Sequence, residues 1–272
     1  MNATFQLVGS LLIRSGQDST GRAPDVVHLK SCRLVSQEIK WLFDKSIHII
    51  GSLPQQIDLW GSENLELFLL AYSLLKPKVL KSILSGTSLA GVLRHRAERI
   101  VHTLGSCSPI VDKLFGYVVG KQSQASRLVV HEKVIENATD LVQNRIAIDR
   151  FTGGAYHGAL FDEQPIFGSD KTIVTIELEL RNPKEYEIGL LLLLLKDLWT
   201  SDLPVGGESS IGRGRLQGKE ATLTWEKQNK EWKISQSAPE QQIQVSGSNK
   251  QDLEDYVEAF VKHPQEEVKE DA

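Results

Sequence analysis

The segment Ile188 to Leu195 constrains this chain most. It holds six successive leucines and ends at Lys196 and Asp197, well short of the roughly 20 apolar residues that span a bilayer. A helix apolar on every side and too short for a membrane must lie inside a core. Asn182-Pro183 supplies its cap and first-turn proline, with Glu185 and Glu187 close behind. At 272 residues the chain can enclose such a helix. Its 40% hydrophobic and 24% charged residues suit an ordinary globular protein with no membrane partner. Residues Met1 to Ser10 lack the pattern of a secretory signal. With two cysteines only, Cys32 and Cys107, a reducing cytoplasmic setting is expected and a structural zinc is not.

Around that helix the pattern mixes strands and helices. Phe5 to Arg14 reads as a first strand and Ser15 to Pro24 as a loop. Residues 31–84 read as an apolar-rich helical insertion, in which Ser62 caps a helix over Glu63 to Leu75 that Pro77 stops. A further helix is predicted over Thr87 to Leu104, burying Leu89, Leu93, Ala97, Ile100 and Leu104 and leaving Arg94, His95, Glu98 and His102 outside. The β-type runs Leu128–Val130 and Ile146–Ile148 precede a glycine-rich segment, Thr152 to Gly158, and together predict a long hairpin with a flexible tip. Thr172 to Leu180 alternates as a strand, and Ala221–Trp225 with Trp232–Ile234 predicts a closing hairpin. The order is that of an α+β fold.

This places a folded body over residues 1–236. Residues 237–272 hold three Lys against nine Asp or Glu. They read as an acidic tail with a short amphipathic helix, capped by Asn249 and Asp252 and running through Leu253, Tyr256, Val257 and Phe260 before fraying beyond Pro264. The tail docks a partner or keeps the protein soluble. The formal net charge of −4 hides this asymmetry. The body is nearly neutral, so any nucleic-acid surface on it must be a local groove.

Three segments carry chemistry. Gly206-Gly207-Glu208-Ser209-Ser210-Ile211-Gly212-Arg213-Gly214-Arg215 combines four glycines with two arginines, as a phosphate-binding loop does, and reads equally as a glycine turn. It is not a Walker A loop, because Arg213-Gly214 stands where Lys-Ser/Thr is required. Ser85-Gly86-Thr87-Ser88-Leu89-Ala90-Gly91-Val92-Leu93-Arg94 puts small polar residues at a helix start, which suits an anion, or an N-cap with close packing at Gly91. Ile148 to Glu163 mixes aromatic and basic side chains that could stack against bases.

Those segments, with Leu114-Phe115-Gly116, Ala125-Ser126-Arg127-Leu128, Ala147 to Ala155 and Gly158-Ala159-Leu160-Phe161, occur in an order similar to that of the CRISPR-associated RAMP superfamily. More narrowly they resemble the backbone subunit of type III RNA-targeting effectors. The resemblance covers residues 85–216 well and Phe5 to Leu29 loosely. It implies an RNA-recognition-motif-like, ferredoxin-like βαββαβ core with a β-hairpin thumb, here Arg145 to Phe167. It also implies guide RNA, complementary target RNA and other effector-complex subunits as partners. Contacts with RNA would fall on Ser85, Gly86, Thr87, Ser88, Arg94, Arg127, Arg150, Phe151, Tyr156, His157, Gly207, Ser209, Ser210, Gly212, Arg213, Gly214 and Arg215. In such relatives the thumb displaces a nucleotide; Phe151 and Tyr156 are the candidates for that wedge, and Leu160 and Phe161 are either wedge or core.

The same family often cuts its bound target with an aspartate after the first strand. The matching position is Asp25, in Arg22-Ala23-Pro24-Asp25-Val26-Val27, with Asp18 a competitor. A distorted RNA backbone can align a ribose 2′-OH with its own phosphate, so one carboxylate suffices, taking the proton or holding Mg2+ or another divalent cation. Pro-Asp is equally a turn. The insertion 31–84 departs from the family pattern and bears on the relation of Asp25 to RNA. Two rival functions are a purely structural subunit of the same complex and a stand-alone guide-processing ribonuclease. The latter would need a histidine base among His95, His102, His131 and His157.

Overall fold

The computed structural model describes residues 1–15, 24–34, 78–105 and 109–270. The predicted helix Glu63 to Leu75, Asp18 and Cys107 lie outside them. In chain order the elements described are β1 Asn2–Val8, β2 Ser10–Leu11, β3 Val26–Val27, β4 Lys30–Leu34, β5 Lys78–Leu84, α1 Gly86–Thr103, α2 Ile110–Phe115, β6 Tyr117–Val119, β7 Gln122–Gln124, β8 Leu128–Val130, β9 Lys133–Glu136, β10 Thr139–Asp140, β11 Gln143–Ile148, β12 Ala155–Gln164, β13 Ile166–Phe167, β14 Ile173–Leu180, α3 Glu185–Trp199, β15 Arg215–Trp225, β16 Lys230–Ser235, β17 Gln244–Gly247 and α4 Gln251–Glu270.

β1 occupies the centre of the main sheet because alternate side chains, Ala3, Phe5 and Leu7, are apolar and buried. It pairs antiparallel with β14 on one side and β15 on the other. Beyond β14 lie β8 and β9; beyond β15 lie β16 and β17. Counting β8–β9 as one strand, the core runs β1, α1, β8–β9, β14, α3, β15, in the spatial order fourth, first, third, second. This is the ferredoxin-like βαββαβ arrangement expected, with the β11–β12 hairpin inserted between the second and third strands.

One sheet face is covered by α1 and α3. α1 buries Leu89, Leu93, Ala97 and Val101; Leu104, predicted inside, is exposed because the helix has ended at Thr103. The leucine helix α3 is buried as its composition requires. The backbone of Gly218 lies so close to Trp199 that a Cβ there would come within 1.9 Å of the indole. The opposite face presents the half-buried Thr4, Gln6, Thr175, Glu177, Gln217, Lys219 and Thr222.

Several expectations are corrected. The first strand stops at Val8, where Gly9 turns with φ +76°, and the chain resumes as β2 paired to β13. The N-cap of α3 is Lys184, not Asn182, since the Glu187 carboxylate accepts the Lys184 N–H at 2.9 Å. The close approach expected at Gly91 occurs at Gly86, whose Cβ would sit 2.4 Å from the Val130 carbonyl, while nothing lies within 4 Å of Gly91. The edges of the block 31–84 are strands, as the β-branched Val79 and Ile83 favour.

The acidic C-terminal segment is no loose tail. Its helix α4 runs past Pro264 to Glu270, and Leu253, Tyr256 and Phe260 are buried in the same core as α3. Gly189 permits this, because a Cβ there would come within 2.1 Å of the Tyr256 carbonyl. Residues 30–81 form a second compact unit, of which β4 and the start of β5 are described. Among the described residues no helix is long and apolar enough to cross a membrane.

Candidate nucleic-acid interface

The inserted hairpin pairs Arg145 with Phe161 and Ile146 with Leu160. The loop expected to be a flexible tip is a built turn: Asp149 Oδ1 accepts the N–H groups of Phe151 at 2.7 Å and Thr152 at 3.2 Å. The hairpin is far more apolar outside than a solvated strand pair needs. Phe151 is fully exposed, Leu160 is 67% and Ile148 64% exposed, and Tyr156 and Ile146 are also outside. Leu160 and Phe161 are therefore surface residues, which corrects their reading as core. His157 and Arg150 are exposed beside them.

At its root the hairpin meets the segment that carries Asp25. β12 pairs in parallel with β3, Glu163 opposite Val26 and Gln164 opposite Val27. Asp25 is exposed, and its Oδ2 accepts the backbone N–H of Asp162 at 2.9 Å. Three residues on, the buried His28 accepts the Ile13 N–H on Nδ1 at 3.2 Å. Its other ring nitrogen, Nε2, lies 3.2 Å from the Ile83 carbonyl and must therefore carry the proton. Asp25 thus sits at the end of a segment fixed to the chain just after β2, to β5 and to the hairpin.

The glycine-rich loop lies at the same root, and its backbone is largely committed. Gly207 N–H bonds to the Leu12 carbonyl at 2.8 Å, Gly214 N–H to Ser10 at 2.7 Å and Gly212 N–H to Ser209 at 3.0 Å. Gly214, at φ +77°, has no room for a side chain, since a Cβ would fall 1.9 Å from the Val205 carbonyl. Ser209, Ser210 and Gly212 face outward, and Gly207 is half-buried.

Arg213 does not face outward. It is 3% exposed, which corrects its assignment to a phosphate: its guanidinium bonds Glu163 Oε1 and Gln143 Oε1, the latter at 2.9 Å. Its Nη1 lies 3.0 Å from Glu208 Oε2. Glu163 is fully buried and also accepts Arg145 Nε at 2.5 Å. Burial pushes the Glu163 carboxyl up, but the hydrogen bonds from Arg145 and Arg213 outweigh it and hold the group below the usual carboxylate range.

Other predicted contacts are also turned inward. Arg94 bonds Asp112 and the Gly116 carbonyl, both at 2.7 Å. Arg127 bonds Glu187, and Arg215 bonds the Ser201 carbonyl. Their donors engage carboxylates and backbone carbonyls, which sequence alone does not reveal. Ser85 is buried with Oγ 2.8 Å from Thr87 Oγ1, while Thr87 is exposed and Ser88 half-buried. The α1 start is not beside the glycine-rich loop. Gly86 abuts Val130, whose partner Leu178 is level with Met1, whereas the loop leaves at Arg215, level with Val8. At the rise of a strand this is roughly 20 Å along the sheet.

Among the described residues, two partly exposed arginines lie on segments that meet the one carrying Asp25: Arg14, 63% exposed and 3.7 Å from Glu208, and Arg145, 37% exposed and bonded to Glu163. Neither was among the predicted RNA contacts, and Arg150 lies farther out on the hairpin turn. Among the described residues no group of three or more His, Cys, Asp or Glu converges as a metal cage. His95 and His102 lie on the exposed side of α1, and His131 is half-buried after β8.

A ferredoxin-like domain with an apolar hairpin inserted between its second and third strands defines the structural class. A family model of the RAMP superfamily matches residues 77–217, and the chain belongs to that superfamily. No curated protein matches it. Among solved structures, one described as a Type IV-B CRISPR Complex is similar, with 13% identity and a TM-score of 0.49 over 80% of this chain and 88% of that chain.

Proposed function

We propose that this protein is a guide-RNA-binding backbone subunit of a type III CRISPR effector complex in the cytoplasm, and that Asp25 cleaves complementary target RNA beside nucleotides displaced by the hairpin. The observation that carries the reading is the hydrogen bond from Asp162 N–H to Asp25 Oδ2. It fixes an exposed carboxylate at the root of a hairpin whose outer surface is Ile146, Ile148, Phe151, Tyr156 and Leu160.

The chemistry follows from that placement. An apolar wedge inserted into a guide–target duplex unstacks a nucleotide and bends the target backbone, bringing a ribose 2′-OH in line with its phosphate. With Oδ2 engaged, Asp25 Oδ1 takes the 2′-OH proton. The 2′-oxygen attacks phosphorus and the bond to the 5′-oxygen breaks, leaving a 2′,3′-cyclic phosphate and a 5′-hydroxyl protonated by water. Arg14, the more exposed of the two arginines, offsets charge on the phosphate. A divalent cation fits this site only if Asp25 Oδ1 shares it with RNA phosphate oxygens; it would supply electrostatic stabilisation of the pentavalent state.

The test is cleavage of end-labelled complementary RNA by the assembled complex with magnesium, comparing wild type with Asp25→Ala. Loss of regularly spaced cuts with target binding retained supports the reading. An unchanged cutting pattern makes the subunit a guide-holding scaffold. Cutting of precursor RNA by the isolated protein, abolished by a histidine substitution, would instead establish a processing enzyme.

A further inference from the structure

The Arg213 side chain joins three elements. Within its reach are Gln143 at the start of β11, Glu163 near the end of β12 and Glu208 in the glycine-rich loop. Arg213 and Glu163 have side chains 4% and 0% exposed, so neither charge can be re-solvated if the other moves. Among the described residues, both arginines bond the same Glu163 oxygen, Oε1.

The residue before Glu163 donates to Asp25, and Glu163 itself pairs with Val26. β3, which brings Asp25 to that place, is only two residues long and both are half-buried. Two pairs of a half-buried strand do not define a register, and a slip of one residue would turn every side chain to the opposite face. A one-residue slip of β12 would turn the Glu163 side chain to the opposite face and leave the guanidinium's charge buried beside Glu208 and Gln143 without that carboxylate. The ion pair therefore opposes the slip, together with the β11–β12 pairing.

We infer that Arg213, acting through Glu163, is a positioning residue that sets the place of Asp25 at the hairpin root. The inference rests on the proposed cleavage role of Asp25, and its test separates the two. Arg213→Ala would leave Glu163 buried with one partner and risks unfolding, so R213K and E163Q are used, with D25A as reference. Hydrogen exchange of the Asp162 amide is measured on the full chain, and single-turnover cleavage and target affinity on the assembled complex.

D25A removes the acceptor and speeds exchange of the Asp162 amide. E163Q and R213K are expected to speed the same amide roughly tenfold. They are also expected to slow cleavage on the order of a hundredfold, the cost of displacing a reacting group by about an ångström, while target affinity stays within about twofold. Exchange unchanged in both variants overturns the inference, and so does faster exchange with cleavage undiminished where D25A abolishes it. If D25A leaves cleavage intact, the cleavage assignment and the positioning inference built on it both fall; if D25A abolishes cleavage and E163Q and R213K change neither quantity, only the positioning fails.

Discussion

Arg127 grips Glu187 through both ends of its guanidinium, Nη1 to Oε1 at 2.6 Å and Nη2 to Oε2 at 3.0 Å, and Glu187 is fully buried. The pair ties the chain entering β8 to the first turn of α3, where Glu187 also caps the helix. Removing the guanidinium strands a buried carboxylate, at about 3 kcal/mol. R127A is expected to lower the denaturant midpoint by that amount and to leave the RNA affinity of the folded protein unchanged. Intact stability with weakened RNA binding would show that the guanidinium serves phosphates.

The hairpin anchor carries a pH dependence with a definite sign. Glu163 is held below its ordinary value of 4.5 in the fold, because the bonds from Arg145 and Arg213 outweigh its burial. A carboxyl lowered on folding stabilises the fold above its unfolded value, and that contribution is lost as pH falls through the folded value. The stability advantage of wild type over E163Q is therefore full at neutral pH and shrinks progressively below pH 4.5. Denaturation curves of both proteins across the acid range check this; a gap constant down to the acid limit contradicts it.

Truncation after Ser248 removes eight of the nine acidic residues of the C-terminal segment and also three core side chains, Leu253, Tyr256 and Phe260. Burial of side chains this size is worth about 1.5–3 kcal/mol each. The truncated chain should lose most of its stability and aggregate through the leucines of α3. A soluble truncated protein with unchanged melting temperature would restore the view of this segment as a tail.

Substitutions on the hairpin surface should separate function from folding. Phe151 and Leu160 contribute nothing to the core, being exposed. F151A and L160S are therefore expected to change stability by less than about 0.5 kcal/mol. In the assembled complex they should weaken cutting of the target and blur its spacing. Wild-type cutting by the double variant would remove the hairpin from the reaction.

The strands and their faces were readable because alternation with period two survives in Ala3, Phe5, Leu7 and in Val174, Ile176, Leu178. The leucine helix was readable because its length admits one environment only. Charged residues were not. Arg94, Arg127 and Arg213 look alike in sequence whether they meet a phosphate or a carboxylate, and their partners Asp112, Glu187 and Glu163 lie 18, 60 and 50 positions away. Glu163 is one of three acids on the hairpin, with Asp149 and Asp162; its pairing with Arg145 on the facing strand is local, whereas its second arginine, Arg213, comes from 50 positions away. The path of the acidic segment was misread because charge dominates its composition, whereas Gly189 and Phe260 decide where it packs.

The sheet face opposite α1 and α3 has a consequence for information. Domains of this topology that discriminate RNA sequences do so by laying bases on aromatic rings of that face and reading their edges. Here Thr4, Gln6, Thr175, Gln217 and Thr222 offer hydroxyls and amides, and none of these residues carries a ring. In the proposed role, an RNA strand passing over this face finds no ring on these residues to stack against, and discrimination between messages falls to the nucleic acids pairing with each other.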